Sequence, residues 1–272
     1  MAVTMADISK LRTMTGAGMM DCKNALMEAE NNFDKAVEII RKKGQAVAAK
    51  RSDREASEGC VLADTKDGFA AIIALKCETD FVAKNEDFIA LTKSILDAAL
   101  AAKATSTEAV AALTMDGRSI AELVTERSGI TGEKMELDYY EFVEGATVTA
   151  YVHPGNKLAS IVAFEEKDID SQVARDIAMQ VAAMSPVSLD RSSVPEKIVQ
   201  QELEIGKEKA RQEGKPEAIL DRIAEGRLNK FFSESTLLEQ AFIKESKQTV
   251  SDYLKANKAT VTAFKRVTLN VE

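Results

Sequence analysis

The apolar residues of this chain change their spacing at Gly59, and that change calls for a fold assembled from unlike parts. Before Gly59 they recur every three or four residues, as on one face of a helix; after it come the runs and alternations of strands. Ile8 and Leu11 set up a first helix, which Thr15-Gly16-Ala17-Gly18 breaks. Cys22, Ala25, Leu26 and Ala29 set up a second that Asn31-Asn32 stops, and Phe33, Ala36, Val37 and Ile40 a third that ends near Gly44. Three such helices enclose a core of about ten side chains, marginal by itself, so the module is expected to work by presenting a surface. Residues 41–57 then read as a polar helix-to-linker segment, with Arg41, Lys42, Lys43, Lys50, Arg51 and Arg54 set against only Asp53 and Glu55.

Beyond Gly59, residues 59–63 and 68–76 predict an antiparallel hairpin. The following turn carries Thr79-Asp80-Phe81-Val82. Asn85 is placed to cap a helix whose inner face is Phe88, Leu91, Ile95 and Ala99. A weaker helix is expected over 120–128, strands over 135–143, 147–152 and 158–165, and a helix over 172–183. Ala71-Ile72-Ile73-Ala74-Leu75 before Thr79-Asp80 is echoed 88 residues later by Ala159-Ser160-Ile161-Val162-Ala163-Phe164 before Lys167-Asp168. Two related subdomains follow from that echo. Residues 194–213 and 217–232, joined at Gly214-Lys215-Pro216, predict an antiparallel helical hairpin with Ile198, Leu203, Ile205, Ile219 and Ile223 as its apolar positions. A short helix over 250–256 and a strand over 261–271 close the pattern. The fold class expected is α+β with antiparallel sheets.

Composition removes most chemistry. Asp and Glu outnumber Lys and Arg by 44 to 36, a net charge of −8, whereas a duplex binder needs cationic surface. The charge is uneven: +2 over residues 1–56 and −10 over the rest. No nucleic-acid partner is expected. His153 is the single histidine, and the three cysteines have no Cys-x-x-Cys spacing, so neither a metal site nor a disulfide framework is expected and a reducing cytoplasm is. Gly16-Ala17-Gly18 lacks the third glycine of a dinucleotide fingerprint, with Asp21 in its place. Gly206-Lys207 and Gly214-Lys215 run into Glu208 and Pro216, so no phosphate-cradling loop exists and no bound nucleotide or other cofactor is expected. No Gly-x-Ser-x-Gly elbow marks a nucleophile, and no catalytic residue is assigned. The first ten residues carry Asp7 and no apolar stretch, unlike a signal peptide. The longest apolar run, Phe69 to Leu75, falls far short of the ~20 residues that span a bilayer.

Two segments stand out from pure structure. In Thr15-Gly16-Ala17-Gly18-Met19-Met20-Asp21-Cys22-Lys23, both methionines either fill the small core or one is shown to a partner, a use to which flexible thioethers are suited. In Thr79-Asp80-Phe81-Val82, Asp80 is placed to cap a short helical turn. Phe81 fits no hydrophobic-staple position, and is either core or held out on a rigid turn. His153, in Tyr151-Val152-His153-Pro154-Gly155-Asn156, is either a turn residue or a partner contact.

These segments carry a resemblance. Leu11-Arg12-x-x-Thr15-Gly16-Ala17-Gly18-Met19-Met20-Asp21-Cys22-Lys23-x-Ala25-Leu26 and Cys77-x-Thr79-Asp80-Phe81-Val82-Ala83 resemble the two signatures of the translation elongation factor Ts family. The likeness continues through Gly132-Glu133, His153-x-Gly155-x-Lys157, Glu225-Gly226-Arg227, Lys230-Phe231 and Leu237-Leu238-Glu239-Gln240-x-Phe242-Ile243. After Glu133 the chain departs from relatives that carry an Arg pair, reading Met135-Glu136-Leu137-Asp138. The resemblance implies a guanine-nucleotide exchange factor that partners elongation factor Tu. It implies a ubiquitin-associated-like helical domain with a basic linker (1–56), a core N-subdomain (57–140), a core C-subdomain (141–190 and 233–272) and a helical-hairpin dimerisation module (191–232). Thr79, Asp80, Phe81 and Val82 would then wedge in near the magnesium and nucleotide site of Tu. Arg12, Met19, Met20 and Lys23 would touch the same domain, and His153, Gly155 and Lys157 would grip the far end of Tu. An adaptor that binds proteins without changing a nucleotide's release is the competing expectation.

Overall fold

The computed structural model describes residues 2–270. Three helices come first: α1 (Met5–Thr15), α2 (Met19–Glu28) and α3 (Phe33–Lys50). Strands β1 (Glu58–Lys66) and β2 (Phe69–Cys77) follow, then helices α4 (Asp80–Ala83), α5 (Glu86–Ala102) and α6 (Thr107–Ala112). The two-residue strands β3 (Thr114–Met115) and β4 (Arg118–Ser119) lead into α7 (Ile120–Thr131). Next are β5 (Glu136–Glu144), β6 (Thr147–Val152), β7 (Leu158–Phe164) and α8 (Ser171–Met184). The long helices α9 (Glu196–Gln212) and α10 (Leu220–Ser235) precede β8 (Ala241–Phe242), β9 (Glu245–Thr249), α11 (Val250–Ala256) and β10 (Val261–Thr268). The chain is α+β. The last residue of the expected final strand, Val271, lies outside the described residues.

Two compact units emerge: one from residues up to Leu62, Ile73–Tyr140 and the residues from Leu269, the other from Ala63–Ile72 and Glu141–Thr268. Strands β1, β2 and β5 contribute residues to both. Each echoed segment forms the middle strand of a three-stranded sheet, β2 in the order β1-β2-β5 and β7 in the order β10-β7-β6. A middle strand covered on both faces needs no polar alternation, which is why β7 is buried throughout and β2 at all but Lys76. The first hairpin is tighter than expected. Its strands run to Lys66 and from Phe69, leaving a two-residue turn in which Asp67 (φ 48°) and Gly68 (φ 74°) are both left-handed.

In the first unit, Ile8, Leu11, Cys22, Ala25, Leu26 and Ala36 make the buried core of the three helices. Thr4 and Asp7 form a capping box at the start of α1, and Gly16 ends it with φ 71°. Helix α3 does not stop near Gly44 but continues to Lys50. Gly44 is buried because α3 crosses α7 there, with Gly129 directly opposite. A glycine that would break a solvated helix is held helical by the backbone packed against it. Met19 and Met20 are 40% and 64% exposed, so neither belongs to the core.

In the second unit, β7, α8 and the segment 237–261 share a core that includes Val162, Phe164, Ile177, Leu237, Phe242 and Leu254. The β8–β9 pair, without periodic apolar signal, is tied to α8 by buried polar groups. Gln180 donates to Gln240 and to the Ala241 carbonyl, both at 3.1 Å. Burial pushes the carboxyl of Asp176 up, but hydrogen bonds from Lys244, Gln172 and Tyr253 outweigh it and hold it below the ordinary value. In the helical hairpin the seam differs from the expectation: Gly206, Ala210, Leu220, Ala224 and Phe232 are buried, while Ile205 and Ile219 are 44% and 41% exposed. Small residues let the two backbones approach, which leaves the isoleucines outside.

All three cysteines are buried and free. Burial pushes the Cys60 thiol up to about 11 and that of Cys77 up to about 12, and raises Cys22 as well. At pH 8 about one Cys60 in a thousand is a thiolate, the only nucleophilic form. Iodoacetamide at pH 8 is therefore expected to leave Cys60 and Cys77 of the native chain unmodified while labelling all three cysteines in denaturant. Stoichiometric native labelling of either residue contradicts this. Both thiols hold their protons more tightly folded than unfolded, so this stabilisation is intact below about pH 9 and is lost as pH rises through the raised values.

Candidate functional site

Phe81 is the most exposed large apolar side chain described, at 84%. It sits on α4, a single turn between the end of β2 and the start of α5. The turn is capped by Thr79 and not by Asp80: the Thr79 Oγ1 accepts from the Val82 N–H at 3.4 Å. Asp80, freed of capping, accepts from Lys84 Nζ at 2.6 Å, and that bond and charge hold its carboxyl below the usual value. Val82 is half-buried and Ala83 buried beneath the turn. Asn85 caps α5 as expected, accepting from the Asp87 and Phe88 amides. The exposed Phe81 and the paired Asp80 thus project from a turn that Thr79 caps and that Asn85, capping α5, follows directly.

The base of the turn is fastened by residues far away in sequence. The Glu133 carboxylate accepts from the Glu78 amide at 3.2 Å, the Thr79 amide at 3.1 Å and the Thr79 hydroxyl at 2.6 Å. In return, the Glu78 carboxylate accepts from the Lys134 amide at 2.6 Å and from Arg51, at the end of α3, at 2.9 and 3.0 Å. The Lys134 amide is the largest cause of a lowered Glu78 carboxyl, with Arg51 adding to it against burial. No local pattern marks these partners: Glu133 follows the left-handed Gly132 that ends α7, 54 residues from Thr79. In the sequence, Gly132-Glu133 stands out only by its place in the family likeness.

The second candidate set lies in the same unit. Arg12 is exposed on the last turn of α1, Met19 and Met20 open α2, and Lys23 is exposed on its next turn. Arg12 lines a cleft of about 620 Å³ together with Asp87 at the start of α5 and Arg127 on α7. Arg127 escaped the sequence reading, since nothing in its own helix distinguishes it. The third set belongs to the other unit, in the turn joining β6 to β7. His153 is exposed, its Nδ1 lies 3.0 Å from the Tyr151 hydroxyl, and its amide donates to the Leu158 carbonyl at 2.8 Å. Arg175 lies 5.5 Å over the Tyr151 ring. Gly155 has φ 92°, and burial pushes the Lys157 amine down. Among the described residues no helix is long and apolar enough to cross a membrane.

The sequence profile of the family described as Elongation factor TS matches residues 78–271, most of the chain. The chain belongs to the elongation factor Ts family. It is 60% identical over 275 residues to Elongation factor Ts of Porphyromonas gingivalis, with all of both chains covered. It is 58% identical over 274 residues to that of Azobacteroides pseudotrichonymphae and 48% over 331 residues to that of Bacteroides fragilis, again with 100% of each chain covered. The elongation factor Ts profile takes in Thr79 to Val82 and the His153 turn. Arg12, Met19, Met20 and Lys23 precede the profile but fall within the full-length matches to elongation factor Ts proteins.

Proposed function

We propose that this chain binds elongation factor Tu·GDP in the cytoplasm and accelerates GDP release, without covalent chemistry and without binding nucleotide itself. The observation that carries the reading is Phe81, an apolar ring 84% exposed on a braced, capped turn. A large exposed apolar side chain on a fixed turn fits insertion into a partner better than solubility or packing. Thr79, Asp80, Phe81 and Val82 enter beside the magnesium and nucleotide site of Tu. There Phe81 supplies anchoring and Asp80 competes for hydrogen bonds and charge. Arg12, Met19, Met20 and Lys23 bind the same Tu domain, and His153, Gly155 and Lys157 bind at the far end of Tu.

The division into a helical domain (1–56), two core subdomains (57–140; 141–190 with 233–272) and a hairpin module (191–232) belongs to the same proposal. Ile205 and Ile219, exposed on the hairpin, suit it to pair with a second copy. Release follows from linkage: if the factor and GDP each weaken the other's hold on Tu, either one expels the other. The test mixes the chain with Tu·GDP carrying a fluorescent nucleotide and follows release and complex mass together. Complex formation with faster release supports the proposal. A complex whose GDP leaves at the intrinsic rate supports the adaptor instead.

A further inference from the structure

Between the ends of α3 and α7 and the start of α4, each of two glutamates accepts from backbone amides at or beside the other. Glu133 accepts from the Glu78 and Thr79 amides, and Glu78 accepts from the Lys134 amide. The Thr79 hydroxyl stands in the middle, donating to Glu133 Oε1 at 2.6 Å while accepting from the Val82 amide. One hydroxyl thus links the carboxylate to the first turn of α4. Arg51 ties the same Glu78 to the end of α3, which crosses α7 at Gly44 and Gly129.

We infer that Glu133 is a positioning residue for nucleotide release: its carboxylate clasps the base of α4 and so holds Phe81 in its projecting orientation. The inference rests on the exchange reading above. Phe81 at 84% exposure has little packing of its own to fix its direction, so its orientation is set by the backbone of the turn. That backbone is set by Thr79, and Thr79 by Glu133. Without the carboxylate the Glu78 and Thr79 amides lose their acceptor and the Thr79 cap is free to rotate. A wedge that wanders spends part of the partner's affinity on being ordered, and the loss appears in the step that needs the wedge.

The test uses the full chain with Glu133→Ala, Glu133→Gln, Phe81→Ala and the double variant Glu133→Ala/Phe81→Ala. In the free chain, amide exchange at Ala83 and Lys84, whose N–H groups bond the Thr79 and Asp80 carbonyls, is expected to rise by about tenfold or more in Glu133→Ala. With Tu·GDP, the maximal release rate at saturating factor is expected to fall by about tenfold, while the half-saturating concentration stays within about twofold. Glu133→Gln, which keeps one acceptor oxygen, is expected within about threefold of wild type. A merely structural loss does the reverse, because an unfolded fraction raises the half-saturating concentration and leaves the maximal rate. On a Phe81→Ala background, Glu133→Ala is expected to add less than about twofold, since the lever is already gone. Unchanged amide exchange, or losses that multiply in the double variant, overturn the inference. If Phe81→Ala is slow and Glu133→Ala is not, the inference alone falls. If Phe81→Ala releases nucleotide at the wild-type rate, the exchange reading falls and takes the positioning role with it.

Discussion

Phe81→Ala is expected to slow GDP release from elongation factor Tu by roughly 10–100-fold at saturating factor while leaving the chain folded. The ring is 84% exposed, so its removal takes little from any core, and surface truncations of this kind change stability by about 0.5 kcal/mol or less. The thermal midpoint should then move by no more than about 1–2 °C. Burying a phenylalanine in the partner contributes about 1.5–3 kcal/mol. At about 1.4 kcal/mol per tenfold, that energy sets the size of the predicted loss. A thousandfold weakening of the nucleotide needs about 4 kcal/mol, so the ring accounts for part and Asp80 with the wider interface for the remainder. Stopped-flow release of a fluorescent GDP measures the loss. A wild-type rate with Phe81→Ala removes the wedge from the account.

The second large effect is one of stability. A methyl group at Gly129 would overlap the Gly44 Cα outright and stand 3.0 Å from its nitrogen and 3.2 Å from its carbonyl carbon. Backbone cannot rotate aside as a side chain can, so α3 and α7 must separate. Overpacking of this kind costs about 1–3 kcal/mol or more, against about 1 kcal/mol gained by replacing helical glycine with alanine. At Gly44 the balance differs, because a Cβ there meets only Glu126 atoms at 3.4 Å and Gly129 at 3.6 Å. Gly44→Ala is therefore expected near neutral and Gly129→Ala clearly destabilising, although both remove a glycine from a helix. Thermal melts read the difference, and trypsin cleavage at Arg51 or Arg54 should quicken only in Gly129→Ala. Equal melting of the two variants contradicts the crossing.

The same crossing shows why parts of the fold were legible and others were not. The three-helix core of Ile8, Leu11, Cys22, Leu26 and Ala36 is legible in the sequence because a helix face is a local, periodic pattern. The buried middle strands β2 and β7 were legible for the same reason, as short apolar runs between turns. The continuation of α3 past Gly44 is not legible, because the contact that keeps it helical comes from Gly129, 85 residues away. The hairpin seam is hidden from the sequence, since Gly206 and Ala224 carry almost no hydrophobic signal, while Ile205 and Ile219 carry much and are exposed. At the candidate site, the motif from Thr79 to Val82 was visible as a string of residues. That Thr79 and not Asp80 caps it depends on Lys84 taking the aspartate and Glu133 bracing the threonine. Those bonds are made in three dimensions and leave no spacing in the sequence.

The central claim is that this chain and GDP compete energetically for one state of Tu. Two affinity ratios test it directly. One is the Kd of the chain for Tu saturated with GDP over its Kd for nucleotide-free Tu. The other is the Kd of GDP for Tu bound to the chain over its Kd for Tu alone. Linkage requires the two ratios to be equal, and the account predicts that both are about a hundredfold or greater. Equal affinity of the chain for GDP-bound and nucleotide-free Tu would contradict it, and would leave a protein that binds Tu without exchanging its nucleotide.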